Sequence, residues 1–375
     1  MATSSTRRDP LAFVRPDLLQ LPGYVGVEPV ESIAARLRVP SDRIAKLDGN
    51  ENPYGPSPRA LAALRAFDAY HLYPDPDLRR LRERLAEYTG APPESIVCGN
   101  GSDEIIQLLC TALLRPGEKA IDLPPTFGMY RFETEIAGGV SVPVPRRPDF
   151  SLDLDAVARA VDERVKLIFV THPNNPTGNL LGEDELHALL DLGVLVAVDE
   201  AYIEFAGLER SFLPWIRQQP RLIVMRTFSK WAGLAGLRLG YAAMAPDLAA
   251  VLYRIRQPYG VNVAAEAAAL AALDDRAILM ARVAAIVAER ERMFAALRAI
   301  PFLRPYPSHA NFILCDVLRG DALALRDELR AEGVFVRHFD KPGLRDRLRI
   351  SVGLRRHTDQ LIDALGKAGV RLGLL

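Results

Sequence analysis

The sequence predicts an α/β protein with a large domain on a mostly parallel sheet and a smaller α+β domain. Three observations predict it. Short β-branched runs alternate with amphipathic segments through the middle of the chain. Polar, glycine-bearing motifs follow those runs where open α/β sheets bind ligands. A chain of 375 residues is long enough to form two domains.

The runs come in order. SIVCG (Ser95–Gly99), KAIDL (Lys119–Leu123), VKLIFV (Val165–Val170), VLVAVDE (Val194–Glu200) and RLIVMR (Arg221–Arg226) are short and bounded by proline, glycine or charge. Each reads as a buried strand. DEIIQLLCTALL and EDELHALLDL between them suit crossover helices, and such alternation argues a parallel sheet. An alanine-rich stretch from about Asn262 to Ile300 reads as one long helix. FILCDV, GVFVRHF and RLRISVG then alternate with further helices. The expected division is an arm over 1–45 that contributes to the small domain and a substrate gate, a large domain over 46–262, and a linking helix with the small domain over 263–375.

Composition excludes several functions. Lys+Arg and Asp+Glu balance at 47 each, so no global field favours nucleic acid or an anionic membrane. No apolar run approaches the roughly 18–20 residues of a membrane helix. The arginine pair in TRRDPLAF is followed by Arg15, Pro16 and Asp17 rather than an apolar export segment, so a cytoplasmic protein is expected. Cys98, Cys110 and Cys315 are too scattered for a disulfide framework, and the six histidines show no HExxH spacing; no metal centre is expected.

The strand ends carry the chemistry. After SIVCG, Asn100, Gly101, Ser102 and Asp103 open a helix whose backbone N–H groups suit a phosphate; an ordinary N-cap is the plainer reading. After VKLIFV comes THPNNPTG, where Asn175 either forms a turn or points its amide into the crevice. Asp199 ends the next run, where a carboxylate is costly unless it meets a cation, whether a structural partner or a ligand. Tyr202 can face the same crevice. After RLIVMR, Lys230 stands between small hydroxyl residues, eight positions before Arg238. A lysine desolvated there has a lowered pKa and can bond to an aldehyde. Arg238 offers a fork for phosphate, with Thr227 and Ser229 as hydroxyl donors. Each motif is weak alone. Together, in chain order, they meet the demands of pyridoxal 5'-phosphate (PLP), whose ring nitrogen needs an acidic partner. No GxGxxG fingerprint or GxxxxGK[ST] phosphate loop competes.

With KLDGNENPYGPSP, YPDPDLRRLRERLA, GNGSDE, HPNNPTG, VDEAYIEF, TFSKWAGLAGLRLG, ANFIL and LRISVG in order, the chain resembles the fold-type I PLP-dependent aminotransferases. It is most similar to their histidinol-phosphate branch. The resemblance implies a fold-type I PLP-dependent transferase in which Lys230 bonds to the cofactor aldehyde and moves the proton. It implies Asp199 at the pyridine nitrogen, Asn175 and Tyr202 at the ring hydroxyl, and Phe127 of PPTFGMY stacked on the ring. Gly101, Ser102, Asp103, Thr227, Ser229 and Arg238 would form the phosphate site. Tyr54 would reach the phosphate in the neighbouring subunit, making a homodimer with shared active sites. Arg349 would bind the α-carboxylate, with Tyr24 and Tyr259 near the substrate.

Two departures bear on the substrate. LPGYVGVEP stands where the family pattern is close to LxPYxPG, and Phe127 stands where many relatives have tyrosine. The expected reaction passes an amino group from histidinol phosphate to 2-oxoglutarate, a small-molecule amino donor and a 2-oxo acid. The rivals on the same residues are an aromatic amino-acid aminotransferase and an amino-acid phosphate decarboxylase. A ligand-sensing module of a transcription regulator would need a DNA-binding extension, and no basic region precedes residue 46.

Overall fold

The computed structural model describes residues 9–23 and 26–375. Its strands are β1 (Ala45–Leu47), β2 (Ile96–Gly99), β3 (Lys119–Asp122), β4 (Val140–Pro143), β5 (Val165–Thr171), β6 (Leu195–Asp199), β7 (Leu222–Thr227), β8 (Gly240–Ala243), β9 (Leu303–Pro305), β10 (Phe312–Val317), β11 (Val334–His338) and β12 (Arg347–Ser351). Seven of them form one sheet in the order β2-β8-β7-β6-β5-β3-β4. Only β8 runs antiparallel to its neighbours; the other pairs are parallel. The fold is therefore α/β with a mostly parallel central sheet.

The five central runs read from sequence form β2, β3, β5, β6 and β7. They are fully or nearly fully buried, as expected of strands covered on both faces. Sequence reading passed over β4 and β8. The second is GYAA, whose small residues carry little β-propensity and which becomes a strand by pairing on both sides.

Helices cover the sheet because their apolar residues recur at helical spacing. In Gly101–Leu113, Ile105, Ile106, Leu108 and Leu109 are buried and pack with Val97, Phe169 and Ala242 from the sheet. Burying each such side chain contributes on the order of 2 kcal/mol.

The smaller sheet has the order β1-β11-β12-β10-β9. Its β1 pairs in parallel with β11, Ala45 opposite Val334 and Leu47 opposite Val336. The segment read as an arm thus feeds a strand into this sheet, and its helix Val30–Leu37 packs Ile33 against Ile44 and Phe335.

One expectation is corrected. The alanine-rich stretch is two helices, Val263–Asp274 and Arg276–Arg298, broken at Asp275 (φ −91°, ψ 19°). The Asp275 carboxylate accepts the Arg59 backbone N–H at 2.9 Å and pairs with the Arg59 guanidinium at 3.1 Å. An aspartate with partners outside its helix favours a cap over a helical interior.

Candidate active site

The register of the large sheet gathers the site. Thr171 ends β5 opposite Asp199 at the end of β6, and Asp199 lies opposite Met225 on β7. Thr227, two residues further, faces Gly240. A crevice opens above this row, lined by Ser102, Asp103, Phe127, Asn175, Tyr202 and Lys230, among others.

Asp199 forms the floor and is 3% exposed. Its Oδ2 accepts the Tyr130 hydroxyl at 2.7 Å and its Oδ1 accepts the Ala201 N–H at 3.0 Å. Tyr130 also lies 2.9 Å from the Thr171 hydroxyl and stacks on Phe169 with centroids 4.7 Å apart. Burial raises the Asp199 pKa to about 6, against the two hydrogen bonds that lower it. A buried carboxylate held only by neutral donors among these contacts is suited to a cation arriving with a ligand.

Lys230 follows β7. Its Nζ donates to the Gly49 carbonyl at 3.4 Å and lies 5.9 Å over the Tyr202 ring. Burial first, and then the positive field of Arg349 with that of Arg238, lowers its pKa to about 8. Roughly a tenth is then neutral amine at pH 7, the form that attacks a carbonyl.

An anion cradle lies beside it. Gly101 opens its helix at φ 81°. A side chain there would meet Arg238 Nη2 at 2.6 Å, and one at Gly240 would meet the Ser102 backbone N at 2.4 Å. Glycine at both places lets backbone and guanidinium close in on one small volume. Arg238 pairs with Asp103 at 2.8 Å, and the Thr227 and Ser229 hydroxyls lie 2.9 Å apart. The helix N-terminus, the guanidinium and the hydroxyls converge as a phosphate requires.

The smaller sheet closes the other side. Arg349 on β12 is buried; its Nη1 donates to Asn175 Oδ1 and its Nη2 to the Asp48 carbonyl, both at 2.7 Å. Arg337 on β11 is its cross-strand partner, and each guanidinium lies 5.5 Å from the Phe339 ring. Two arginines thus share one aromatic platform.

Residues 42–365 match the family model for aminotransferase class I and II. The chain belongs to this family. The aminotransferase is 52% identical to the histidinol-phosphate aminotransferase of Roseiflexus castenholzii over 362 residues, covering 94% of this chain and 97% of that one. It is 48% identical to the chloroplastic histidinol-phosphate aminotransferase 1 of Arabidopsis thaliana over 356 residues, 94% of this chain and 85% of that one. Among solved structures it is similar to the histidinol-phosphate aminotransferase of Sinorhizobium meliloti in complex with pyridoxal-5'-phosphate. There the TM-score is 0.86 and the identity 29%, with 99% of this chain and 100% of that one covered.

The aminotransferase brings Lys230, Asp199, Tyr202, Asn175, Phe127, Ser102, Asp103, Thr227, Ser229 and Arg238 to one crevice. Gly101 adjoins it through Arg238 and Arg349 through Asn175. Tyr54 is 42% exposed and absent from the described lining of its own chain's crevice. Tyr259 is likewise absent from that lining and stacks on Tyr73 with centroids 4.5 Å apart. Tyr24 lies outside the described residues. Sequence reasoning missed Tyr130 and Arg337. Tyr130 stands three residues after Phe127 in PPTFGMY, in the first turn of the helix Met129–Ile136; Arg337 offered only a charge in a strand-like run.

Proposed function

We propose that the aminotransferase binds PLP in this crevice and, as a homodimer, transfers the amino group of histidinol phosphate to 2-oxoglutarate. The observation that carries the reading is the placement of three unlike groups on one wall. These are an amine of lowered pKa, a buried carboxylate without a cationic partner among its described contacts, and a glycine-lined anion cradle. Their chemistry fits the aldehyde, ring nitrogen and phosphate of PLP respectively. The names of the relatives, at 52% and 48% identity, support histidinol phosphate over the aromatic and decarboxylase alternatives.

When bound, PLP supplies an aldehyde that captures amines and a ring that accepts electron density from the substrate carbon. The chain's own groups do the rest. Lys230 Nζ, with a pKa of about 8, takes and returns the proton at the substrate carbon as general base and acid. Asp199, held by the Tyr130 hydroxyl, would keep the proton at the ring nitrogen. Asn175 and Tyr202 would hold the ring hydroxyl, and Phe127 would cover the ring. Gly101, Ser102, Thr227, Ser229 and Arg238 bind the phosphate, with Asp103 orienting Arg238 through their 2.8 Å ion pair.

Histidinol phosphate carries a phosphate and no α-carboxylate, whereas glutamate carries two carboxylates, so one pocket must serve both anions. A guanidinium fork pairs with either. The Arg349–Arg337 pair supplies two forks, matching a dianion better than one. By the family resemblance alone, Tyr24 and Tyr259 would add hydroxyl donors at the substrate end.

The dimer reading rests on Tyr54, which would complete the phosphate cradle of the partner. Tyr70, Leu72 and Tyr73 are 56%, 59% and 81% exposed, an apolar stretch that suits burial against a second copy. The working division is 1–45 as arm, 46–262 as the cofactor domain and 263–375 as linking helices with the small domain. Among the described residues no helix is long and apolar enough to cross a membrane; with no charge bias toward nucleic acid, this supports a cytoplasmic enzyme of small-molecule metabolism. The test is turnover against histidinol phosphate, phenylalanine, tyrosine and threonine phosphate, with and without 2-oxoglutarate. Histidinol phosphate consumption that depends on the oxo acid supports transamination; release of carbon dioxide from threonine phosphate contradicts it.

A further inference from the structure

Asn50 joins the cofactor wall to the smaller sheet. Its side chain is buried, and its Nδ2 donates to Tyr202 Oη at 3.0 Å. Its Oδ1 accepts the Ser351 hydroxyl at 2.8 Å, and its backbone N–H donates to Ser351 Oγ at 2.9 Å. Its carbonyl accepts Asn311 Nδ2 at 3.0 Å. The backbone is therefore anchored without the side-chain amide. That amide is what reaches the tyrosine.

The backbone carries a second indication. Asn50 sits at φ 53°, in the left-handed region that glycine adopts freely and that asparagine adopts more readily than most other residues. Glycine would be easier to place there but would leave Tyr202 Oη without this donor. A hydroxyl oxygen that accepts from an amide N–H directs its own proton to another acceptor, and the polarised O–H is the stronger donor.

Tyr202 lines the crevice. Ser351 lies two residues after Arg349 on β12, so both project to one face of the sheet. Arg349 holds the Asp48 carbonyl and Ser351 holds Asn50. The strand that carries the anion-binding arginine thus also fixes the tyrosine.

We propose that Asn50 is a positioning residue: its amide orients the Tyr202 hydroxyl so that the proton is donated toward the ring oxygen of the cofactor. The inference rests on the PLP reading above. The charged groups near the tyrosine, Lys230 over its ring and Arg349 beyond Phe312, are left in place by the substitutions below.

The test compares holoenzymes of the wild type, Asn50→Gly, Asn50→Asp, Tyr202→Phe and the Tyr202→Phe, Asn50→Gly double variant. Visible absorbance of the bound cofactor is followed from about pH 5 to 10, with thermal melting and cofactor content as controls. A stronger donor to the ring oxygen stabilises its anionic form, so losing the amide should raise the pH midpoint. Asn50→Gly keeps the left-handed backbone and should raise it by about half a unit to one unit, the equivalent of one neutral hydrogen bond. Asn50→Asp, whose carboxylate would draw the tyrosine proton to itself, should raise it at least as far. In the Tyr202→Phe background Asn50→Gly should add no shift, which a general loosening of the fold would not reproduce. Ser351→Ala, which releases the amide, should move the midpoint in the same direction and provides a second variant if Asn50→Gly does not fold. An unchanged midpoint in folded, cofactor-loaded Asn50→Gly or Ser351→Ala, or an equal shift without the Tyr202 hydroxyl, overturns the proposal. A wild type that takes up no PLP overturns the cofactor reading and this inference with it.

Discussion

Arg349 on β12 donates at 2.7 Å to Asn175 Oδ1, 174 positions away in the turn that follows β5. The guanidinium assigned to the substrate anion is thereby bonded to the amide assigned to the cofactor ring. A substrate anion arriving at Arg349 meets a group whose geometry is already set. Preorganisation of this kind reduces what binding must spend on ordering.

Arg349→Ala removes the fork and leaves Asn175 Oδ1 and the Asp48 carbonyl without their donor. Loss of one partner in a buried, hydrogen-bonded charged contact costs about 2–5 kcal/mol. The expected result is a fall of at least roughly thirtyfold in kcat/KM for histidinol phosphate. Arg349→Lys should recover only part of it, since an ammonium cannot make both bonds in one plane. Steady-state kinetics with both substrates varied measures this.

Asp199→Asn separates function from stability. The folded-state pKa of Asp199 is raised from 3.8 to about 6, so the folded apoenzyme binds this proton more tightly than the unfolded chain does. Stability from the group is present below about pH 4 and lost as pH rises through about 6, amounting to about 3 kcal/mol by pH 7. Cofactor-free Asp199→Asn should therefore gain on the wild type in thermal melts as pH rises from about 4.5 to 7.5. Its transamination should fall by several orders of magnitude. Parallel melting curves across that range, or near-normal turnover, would contradict the assignment.

Lys230 should be the residue that captures the cofactor. Borohydride treatment of the holoenzyme should fix the label on the peptide containing Lys230, and Lys230→Ala should bind PLP without covalent capture. Because the pKa is lowered to about 8, the rate of capture by apoenzyme should climb with pH and level off above that value. Label recovered on another lysine sinks the assignment.

Much of this was legible in the chain because α/β sheets place their chemistry at strand ends. The runs VLVAVDE and RLIVMR were apolar enough to read as buried strands, and polar residues at and just after their ends line the crevice. Tyr130 and Asn50 were not legible. They reach the site by hydrogen bonds spanning 69 and 152 positions, for which local sequence carries no periodic signal. β8 and the helix break at Asp275 were missed for the complementary reason: pairing on both sides and a distant arginine overrode local propensity. The cross-strand Arg337–Arg349 pair required the register of the smaller sheet.

Tyr54→Ala should lose cofactor affinity at a site shared between subunits. Mixing it with Lys230→Ala chains, each nearly inactive alone, makes dimers with one doubly defective site and one wild-type site. At equal amounts and random pairing, about a quarter of wild-type activity should return. No recovery after verified subunit exchange would show that each crevice is complete within its own chain.

In the proposed function one crevice exchanges an amino group between a phosphate-bearing amine and a dicarboxylic oxo acid. The most direct measurement is kcat/KM for histidinol phosphate with 2-oxoglutarate, beside histidinol and phenylalanine under the same conditions. Histidinol phosphate should run well ahead of both. Histidinol should lose at least about a hundredfold, because removing the phosphate takes the substrate anion away from the buried Arg349 guanidinium. Phenylalanine outpacing histidinol phosphate would instead assign the crevice to aromatic amino acids.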